Sequence, residues 1–251
     1  MHKFFISSEN IDYKNNRIII TGEDVNHITK VLRLRCGESI KISDGNGNEY
    51  ISIIETFDKK SVTCSIAEKF KNETEPKVKI TLFQALPKAQ KMDLIVQKCV
   101  EIGVCTIQTV ITKRVVVDIK SKDISAKIER WNRIAMEAAK QSDRGIIPDV
   151  LEPIEFKDAV EKLKGMDVSV IPYENEKVKD FKDLLKEKQS FNNAGIFIGP
   201  EGGFEDEEIK ICIENGIVPV TLGPRILRTE TAGFVSSTIV LYEACDMGGS
   251  R

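Results

Sequence analysis

Two apolar runs, each closed by a glycine turn, constrain the fold more than any other feature of the chain. Gly195-Ile196-Phe197-Ile198 leads into Gly199-Pro200-Glu201-Gly202-Gly203, and Ile217-Val218-Pro219-Val220-Thr221-Leu222 leads into Gly223-Pro224-Arg225. A segment with helical character follows each turn. Strand, glycine turn and helix in succession build an open parallel α/β sheet, where ligands bind in the crevice beyond the strand C-termini. Glycine there lets backbone atoms approach a small molecule closely. A third run, Val168-Ser169-Val170-Ile171-Pro172, ends in Tyr173-Glu174. Three strand ends are therefore candidates for one shared pocket.

The turns are not built for phosphate. A phosphate loop opens its helix with Gly-Lys-Ser/Thr and aims free N–H groups at the anion. Here the helix after the first turn opens with Glu205-Asp206-Glu207-Glu208. Those carboxylates complement the positive helix end and would repel a phosphate. The chain also lacks the Gly-x-Gly-x-x-Gly fingerprint that a nicotinamide-dependent oxidoreductase would carry. The pocket suits a neutral or cationic ligand. Glu174 and Glu201, acidic at the same expected rim, fit a positively charged or hydroxyl-rich one, although single carboxylates at such positions are often no more than solvated surface groups.

A chain of 251 residues can bury a large core and reads as two domains. No apolar run reaches the roughly 20 residues of a membrane span. Met1-His2-Lys3-Phe4-Phe5 opens no apolar stretch of the kind that marks a secretory signal. Cys36, Cys64, Cys99, Cys105, Cys212 and Cys245 lie mostly within apolar patterns and form no Cys-x-x-Cys, which points to buried thiols in a reducing cytosol. A net charge of −2 neither announces nor excludes nucleic-acid binding, for which a local basic face is enough.

The first 72 residues read as mostly β. Strands are expected at 17–20, 39–43, 49–54 and 61–67, with a hairpin at Asp44-Gly45-Asn46-Gly47 and a helical stretch at 25–32. Short strands in this number suggest a small barrel. Residues 71–76 are polar, end in Pro76 and read as the linker to a second domain covering 73–251. There the pattern alternates. Strands are expected at 79–84, 107–111, 168–172, 195–198 and 217–222. A helix at 89–102 carries Met92, Ile95, Val96, Cys99 and Val100 on one face and ends at Gly103. Another carries Ile128, Trp131, Ile134, Ala135 and Ala138, and a last one runs from Thr229 to Cys245. Strands alternating with helices argue a covered parallel sheet. The last helix is apolar at Ala232, Val235, Ile239, Val240 and Leu241, too much of its girth for a single core stripe.

His27, Lys30, Arg33 and Arg35 form a compact basic group, with His27 and Lys30 on one helical face. His2 and His27 are the only histidines and no cysteine stands in motif spacing with them, so no metal site is expected. Ser236-Ser237 lie inside the last helix without a His–Asp pair, which gives no support to hydrolase chemistry.

Four segments carry a resemblance that spans essentially the whole chain. They are His27-x-x-Lys30-Val31-Leu32-Arg33, Lys91-Met92-Asp93-x-x-x-Gln97-Lys98-x-x-Glu101-Ile102-Gly103, Ile198-Gly199-Pro200-Glu201-Gly202-Gly203, and Leu222-Gly223-Pro224-Arg225-Ile226-Leu227-Arg228-Thr229-Glu230-Thr231. In these the chain resembles the RsmE family, the 16S ribosomal RNA uracil-N3 methyltransferases of the SPOUT superfamily. The resemblance implies an N-terminal PUA-like β-barrel and a C-terminal α/β domain with a deep trefoil knot. It implies a cytoplasmic homodimer acting on the small ribosomal subunit, with S-adenosylmethionine as cofactor and no metal. The cofactor would lie among Tyr173, Glu174, Gly199, Pro200, Glu201, Gly202, Gly203, Leu222, Gly223, Pro224, Ile226 and Leu227. Arg225 and Arg228 are the candidates for stabilising charge on the uracil oxygens, and Glu230 for accepting a proton or orienting Arg228. His27, Lys30, Arg33, Arg35, Lys91 and Arg144 are expected on one RNA-binding surface. The competing reading is an rRNA-binding or assembly factor that keeps the fold without activity. One departure stands at the N-terminus, where many relatives carry an arginine and this chain has His2-Lys3-Phe4-Phe5.

Overall fold

Alternating apolar residues in the first third of the chain become a six-stranded sheet. The computed structural model describes residues 1–116, 121–188, 190–244 and 246–248. Its N-terminal strands are β1 (Lys3–Phe5), β2 (Ile11–Asp12), β3 (Arg17–Thr21), β4 (Ser39–Ser43), β5 (Asn48–Phe57) and β6 (Ser61–Lys71), in spatial order β1-β4-β5-β6-β3-β2. β1 runs parallel to β4 and the other pairs are antiparallel. Two register shifts between β5 and β6 add local twist, and the sheet is curled. One face buries Ile18, Ile20, Ile40, Ile42, Tyr50 and Val62. Asp44 folds the β4–β5 turn by accepting from the amides of Asn46 (2.8 Å) and Asn48 (3.0 Å). Between β3 and β4, α1 (Glu23–Asn26) continues into a widened π-type turn over His27–Val31, burying Val25 and Ile28.

This unit comprises Met1–Glu75 together with Ala139–Ile147. The inserted segment is held by charge. Buried Lys3 pairs with buried Glu49, Lys41 lies 3.0 Å from Glu49, and Asp143 bonds Lys41 at 2.7 Å. Arg144 pairs with Glu75 at 2.7 Å, and Asn72 and Thr74 donate to the Asp143 carbonyl. The stretch 71–76, read as the linker, is hydrogen-bonded through Asn72 and Thr74. One expectation changes here. Arg144 is 3% exposed and neutralised within this unit, so it does not stand on an RNA-facing surface. Lys3 is also buried, which removes it as an open cation.

The second unit, Pro76–Ala138 with Pro148–Arg251, alternates strand and helix. It runs β7 (Lys79–Ala85), α2 (Lys91–Ile102), β8 (Thr106–Ile111), α3 (Ser121–Gln141, whose end joins the first unit), β9 (Asp149–Glu155), α4 (Phe156–Lys164) and β10 (Val168–Pro172). It continues with α5 (Phe181–Glu187), β11 (Asn193–Ile198), α6 (Asp206–Glu214), β12 (Val218–Val220) and α7 (Thr229–Glu243). The strands form one parallel sheet in the order β12-β10-β11-β7-β8-β9. The buried face of α2 is the expected one, and Gly103 closes that helix at φ 115°, a conformation that side chains disfavour. β9, α4 and α5 were not expected. β9 is a sheet edge, charged and carrying Pro153, which suits an edge strand and hides the alternation.

The last helix ends at Glu243, and Cys245 lies outside the described residues. Cys64, Cys99 and Cys212 are buried, and burial pushes their thiols up to about 12; Cys36 is exposed.

Burial works against charge on Asp143, but Lys41 and Lys3 outweigh it and hold the carboxyl below its ordinary 3.8. A depressed carboxylate contributes its stability above the unfolded value and loses it as pH falls through the folded one. Asp143→Asn keeps a side chain that tolerates the residue's φ of 60° and removes only the charge. The variant should show faster hydrogen exchange in β4 and β5 at neutral pH, and the difference should vanish well below pH 3.8. A pH-independent difference would show that the charge is not what anchors the segment.

Candidate functional site

Because every strand of the second sheet is parallel, all its C-termini lie along one edge. β12, β10 and β11 are consecutive there, so their three turns are neighbours. Two adjoining cavities open at this edge, of about 560 and 460 Å³, within the range of small-molecule sites. Pro172, Glu174, Ile226, Leu227 and Ala232 line both. The first adds Tyr173, Leu222, Gly223, Pro224 and Arg225, and the second adds Gly199, Pro200, Glu201, Gly202, Gly203, Lys91 and Arg228. Every residue expected at the cofactor thus lines one crevice. Ile226 is 86% exposed at its mouth, an apolar side chain free to meet a ligand.

The crevice is shaped by close backbone approach at Gly203. Its φ is +68°, and a Cβ there would lie 2.8 Å from Glu174 Oε1. The carboxylate at the end of β10 therefore sits against the bare backbone of the first turn. Gly202 is packed on its other side by the Arg114 side chain, 3.3 Å from where a Cβ would stand.

A buried threonine joins the two turns. Thr229 Oγ1 donates to the Gly199 carbonyl at 2.7 Å and accepts from Gln84 Nε2 at 2.9 Å. Gln84 is at the end of β7, Gly199 follows β11, and Thr229 opens α7. One hydroxyl thus ties three elements at the floor of the site. Neither Gln84 nor the role of Thr229 was legible beforehand, since a polar side chain within an apolar strand announces only that it needs a partner.

Charge is arranged by position. Glu205 caps α6 and Glu208 completes a reciprocal capping box, its other oxygen accepting from the Lys113 amide at 3.0 Å. Arg114 bonds Glu205 at 2.8 Å and the Gly202 carbonyl at 2.6 Å, and it holds the Glu205 carboxyl below its usual range. The helix start is satisfied from within and presents no open anion site. Lys113 and Arg114 were missed; a basic pair directly after a strand, in a chain whose helix opens on four acids, is the signal for them.

Lys91 stands at this crevice, 2.9 Å from Glu201 and 3.8 Å from Glu230. Arg228 Nη1 is 3.9 Å from Glu230 and 83% exposed, so it is free to turn toward a ligand. Arg225 is exposed on the rim. His27, Lys30, Arg33 and Arg35 are all exposed on the first unit. Among the described residues no group of three or more His, Cys, Asp or Glu could hold a metal ion.

Two family models match the chain: an RNA methyltransferase PUA domain over residues 20–67 and an RNA methyltransferase domain over residues 74–241. The ribosomal RNA small subunit methyltransferase E of Bacillus subtilis is 32% identical over 228 residues, 89% of each chain. That of Mesomycoplasma hyopneumoniae is 35% identical over 234 residues, 92% of this chain and 95% of the relative. The chain belongs to the ribosomal RNA small subunit methyltransferase E family. A family member from Neisseria gonorrhoeae, crystallised bound to S-adenosyl methionine, superimposes with a TM-score of 0.87 at 30% identity, covering 96% of this chain and 97% of that one.

If Thr229 couples the two turns, Thr229→Val should cost about 1–3 kcal/mol by leaving buried polar groups unpaired. Hydrogen exchange should quicken at the Gly203 and Thr231 amides together, and Thr229→Ser should behave as the parent. Exchange rising at only one of the two turns would disprove the coupling.

Proposed function

We propose that this chain transfers the methyl group of S-adenosylmethionine to N3 of a uracil in 16S ribosomal RNA of the small subunit. The observation that carries the reading is the crevice itself: two glycine turns and a strand end, all on adjacent parallel strands, in a member of a family of RNA methyltransferases. The residues fit the cofactor. It bears a sulfonium, an ammonium and ribose hydroxyls, and the crevice offers bare backbone at Gly203, the carboxylates of Glu174 and Glu201, and no open phosphate cradle. Tyr173, Leu222, Gly223, Pro224, Ile226 and Leu227 would hold its apolar part, and Gly199, Pro200 and Gly202 the remainder. When bound, it supplies an electrophilic methyl group on sulfur.

The protein's own work is positioning and charge. The turns hold the two reactants in line, which can lower a barrier by roughly 7 kcal/mol or more. Arg228 and Arg225 donate to the uracil oxygens as negative charge develops there. Glu230 Oε2, buried and without a hydrogen bond, is available for the N3 proton. Extrusion of the base from its RNA surroundings accompanies binding.

The same reading assigns residues 1–72 as a PUA-like RNA-binding barrel, with His27, Lys30, Arg33 and Arg35 as phosphate contacts, and 73–251 as a SPOUT domain with a deep trefoil knot. The knot is what the family resemblance implies, and α7 packs on β7, β11 and α2. A homodimer is supported by apolar side chains that α7 leaves uncovered. Ala232, Val240 and Leu241 are buried, but Val235 and Ile239 are half-buried and Tyr242 is exposed. The site of action is the cytoplasm, where the small subunit is made; among the described residues no helix is long and apolar enough to cross a membrane.

Mass mapping of 16S RNA from cells with and without this gene tests the reading: one N3-methyluridine should vanish. In single-turnover assays on small-subunit particles, Arg228→Ala should lower the methylation rate by roughly 10²–10³, the effect of losing one donor to developing charge. Cofactor affinity should change little. A lost rate together with lost cofactor binding would reassign Arg228 to the cofactor site.

A further inference from the structure

Lys91 is the first residue of α2, and its ammonium stands between the two turns. It lies 2.9 Å from Glu201 Oε1, on the first turn, and 3.8 Å from Glu230 Oε2, in the opening turn of α7. Glu201 is fixed from a second direction, since its Oε1 accepts from the Lys88 amide at 3.0 Å. Burial alone would raise the Glu201 carboxyl, but Lys91 and the amides outweigh it and hold it below its ordinary range. The bond to Glu201 in turn raises Lys91. The pair is therefore a standing cation and anion.

The charged groups around Glu230 are Lys91 from α2, Arg228 at the start of its own helix and, beyond Lys91, Glu201. Arg228 is loosely placed at 3.9 Å and 83% exposed. Lys91 is 33% exposed and tethered at its far side. An exposed guanidinium is a weak partner in water, while a tethered ammonium costs little further entropy to hold in place. An ammonium already facing two carboxylates is also a poor contact for RNA phosphate, the role expected for Lys91 from sequence.

We propose that Lys91 is a positioning residue for the methyl transfer: anchored by Glu201, it holds the Glu230 carboxylate in place so that Oε2 accepts the uracil N3 proton. The inference rests on the methyltransferase reading above. The step balances: the N3–H electron pair forms the new N3–C bond, the S–C pair stays on sulfur as a neutral thioether, and the proton ends on Glu230.

The test compares Lys91→Met and Lys91→Arg with the parent full-length chain. It measures single-turnover methylation across the concentration of small-subunit particles, at saturating S-adenosylmethionine so that any change at Glu201 does not enter, and RNA binding across salt. Lys91→Met should lower the maximal rate roughly 10-fold or more, part of the ~10²–10⁴ that a positioned base supplies. The half-saturating particle concentration should stay within a few-fold of the parent, because a group that orients a base acts on the rate and not on binding. Lys91→Arg should restore the maximal rate within a few-fold. The salt slope should stay at the parent value. An unchanged maximal rate would overturn the proposal. So would a salt slope reduced by about 0.7 with the maximal rate unmoved, which would make Lys91 a phosphate contact. If the parent chain itself transfers no methyl group, the functional reading fails, and the proposal with it.

Discussion

The candidate site in the second unit depends on parallel strand pairing. Parallel strands put all their C-termini on one edge, and the order β12-β10-β11-β7 makes four of those ends consecutive. The chain reaches these strands at widely separated points, so no local signal joins Tyr173-Glu174 to Gly223-Pro224. The sheet does, through the registers of β10 with β11 and β12. The Thr229 hydroxyl then locks the first turn to the helix that follows the second. Its position is dictated by sterics as well: α7 lies so close to β7 that a Cβ on Gly233 would come within 3.3 Å of Leu82.

Electrostatics divides the two helix starts beside the crevice into different roles. At α6 the acids are consumed internally, as cap, capping box and partners of Lys113 and Arg114. At α7 they are not: Glu230 sits among cations at distances too long for hydrogen bonds and keeps one buried oxygen without a hydrogen bond. A buried carboxylate oxygen without a donor is costly in a folded protein. That contrast, rather than the presence of acids as such, distinguishes the start of α7 from that of α6.

Much of this was legible in the sequence because the signals were local. The β4–β5 hairpin, the buried face of α2 with its Gly103 stop, and the strand preceding each glycine turn follow from periodicity and turn chemistry alone. The four motifs carried the family. What was not legible depends on distant contacts. Arg144 reads as a surface cation until Glu75 is found beside it. β9 escaped notice because an edge strand need not alternate and tolerates Pro153. Lys91, Arg114 and Thr229 each act through partners 30 to 145 residues away in the chain, a range that periodicity cannot reach.

The central claim is that the crevice formed by the ends of β10, β11 and β12 is one cofactor site. A crystal structure of this chain with S-adenosylhomocysteine tests it most directly. The account predicts a ligand in contact with both turns at once, residues 199–203 on one side and 222–227 on the other, with the Thr229–Gly199 bond intact. A ligand bound elsewhere, or one touching a single turn while the other cavity holds only solvent, would contradict it.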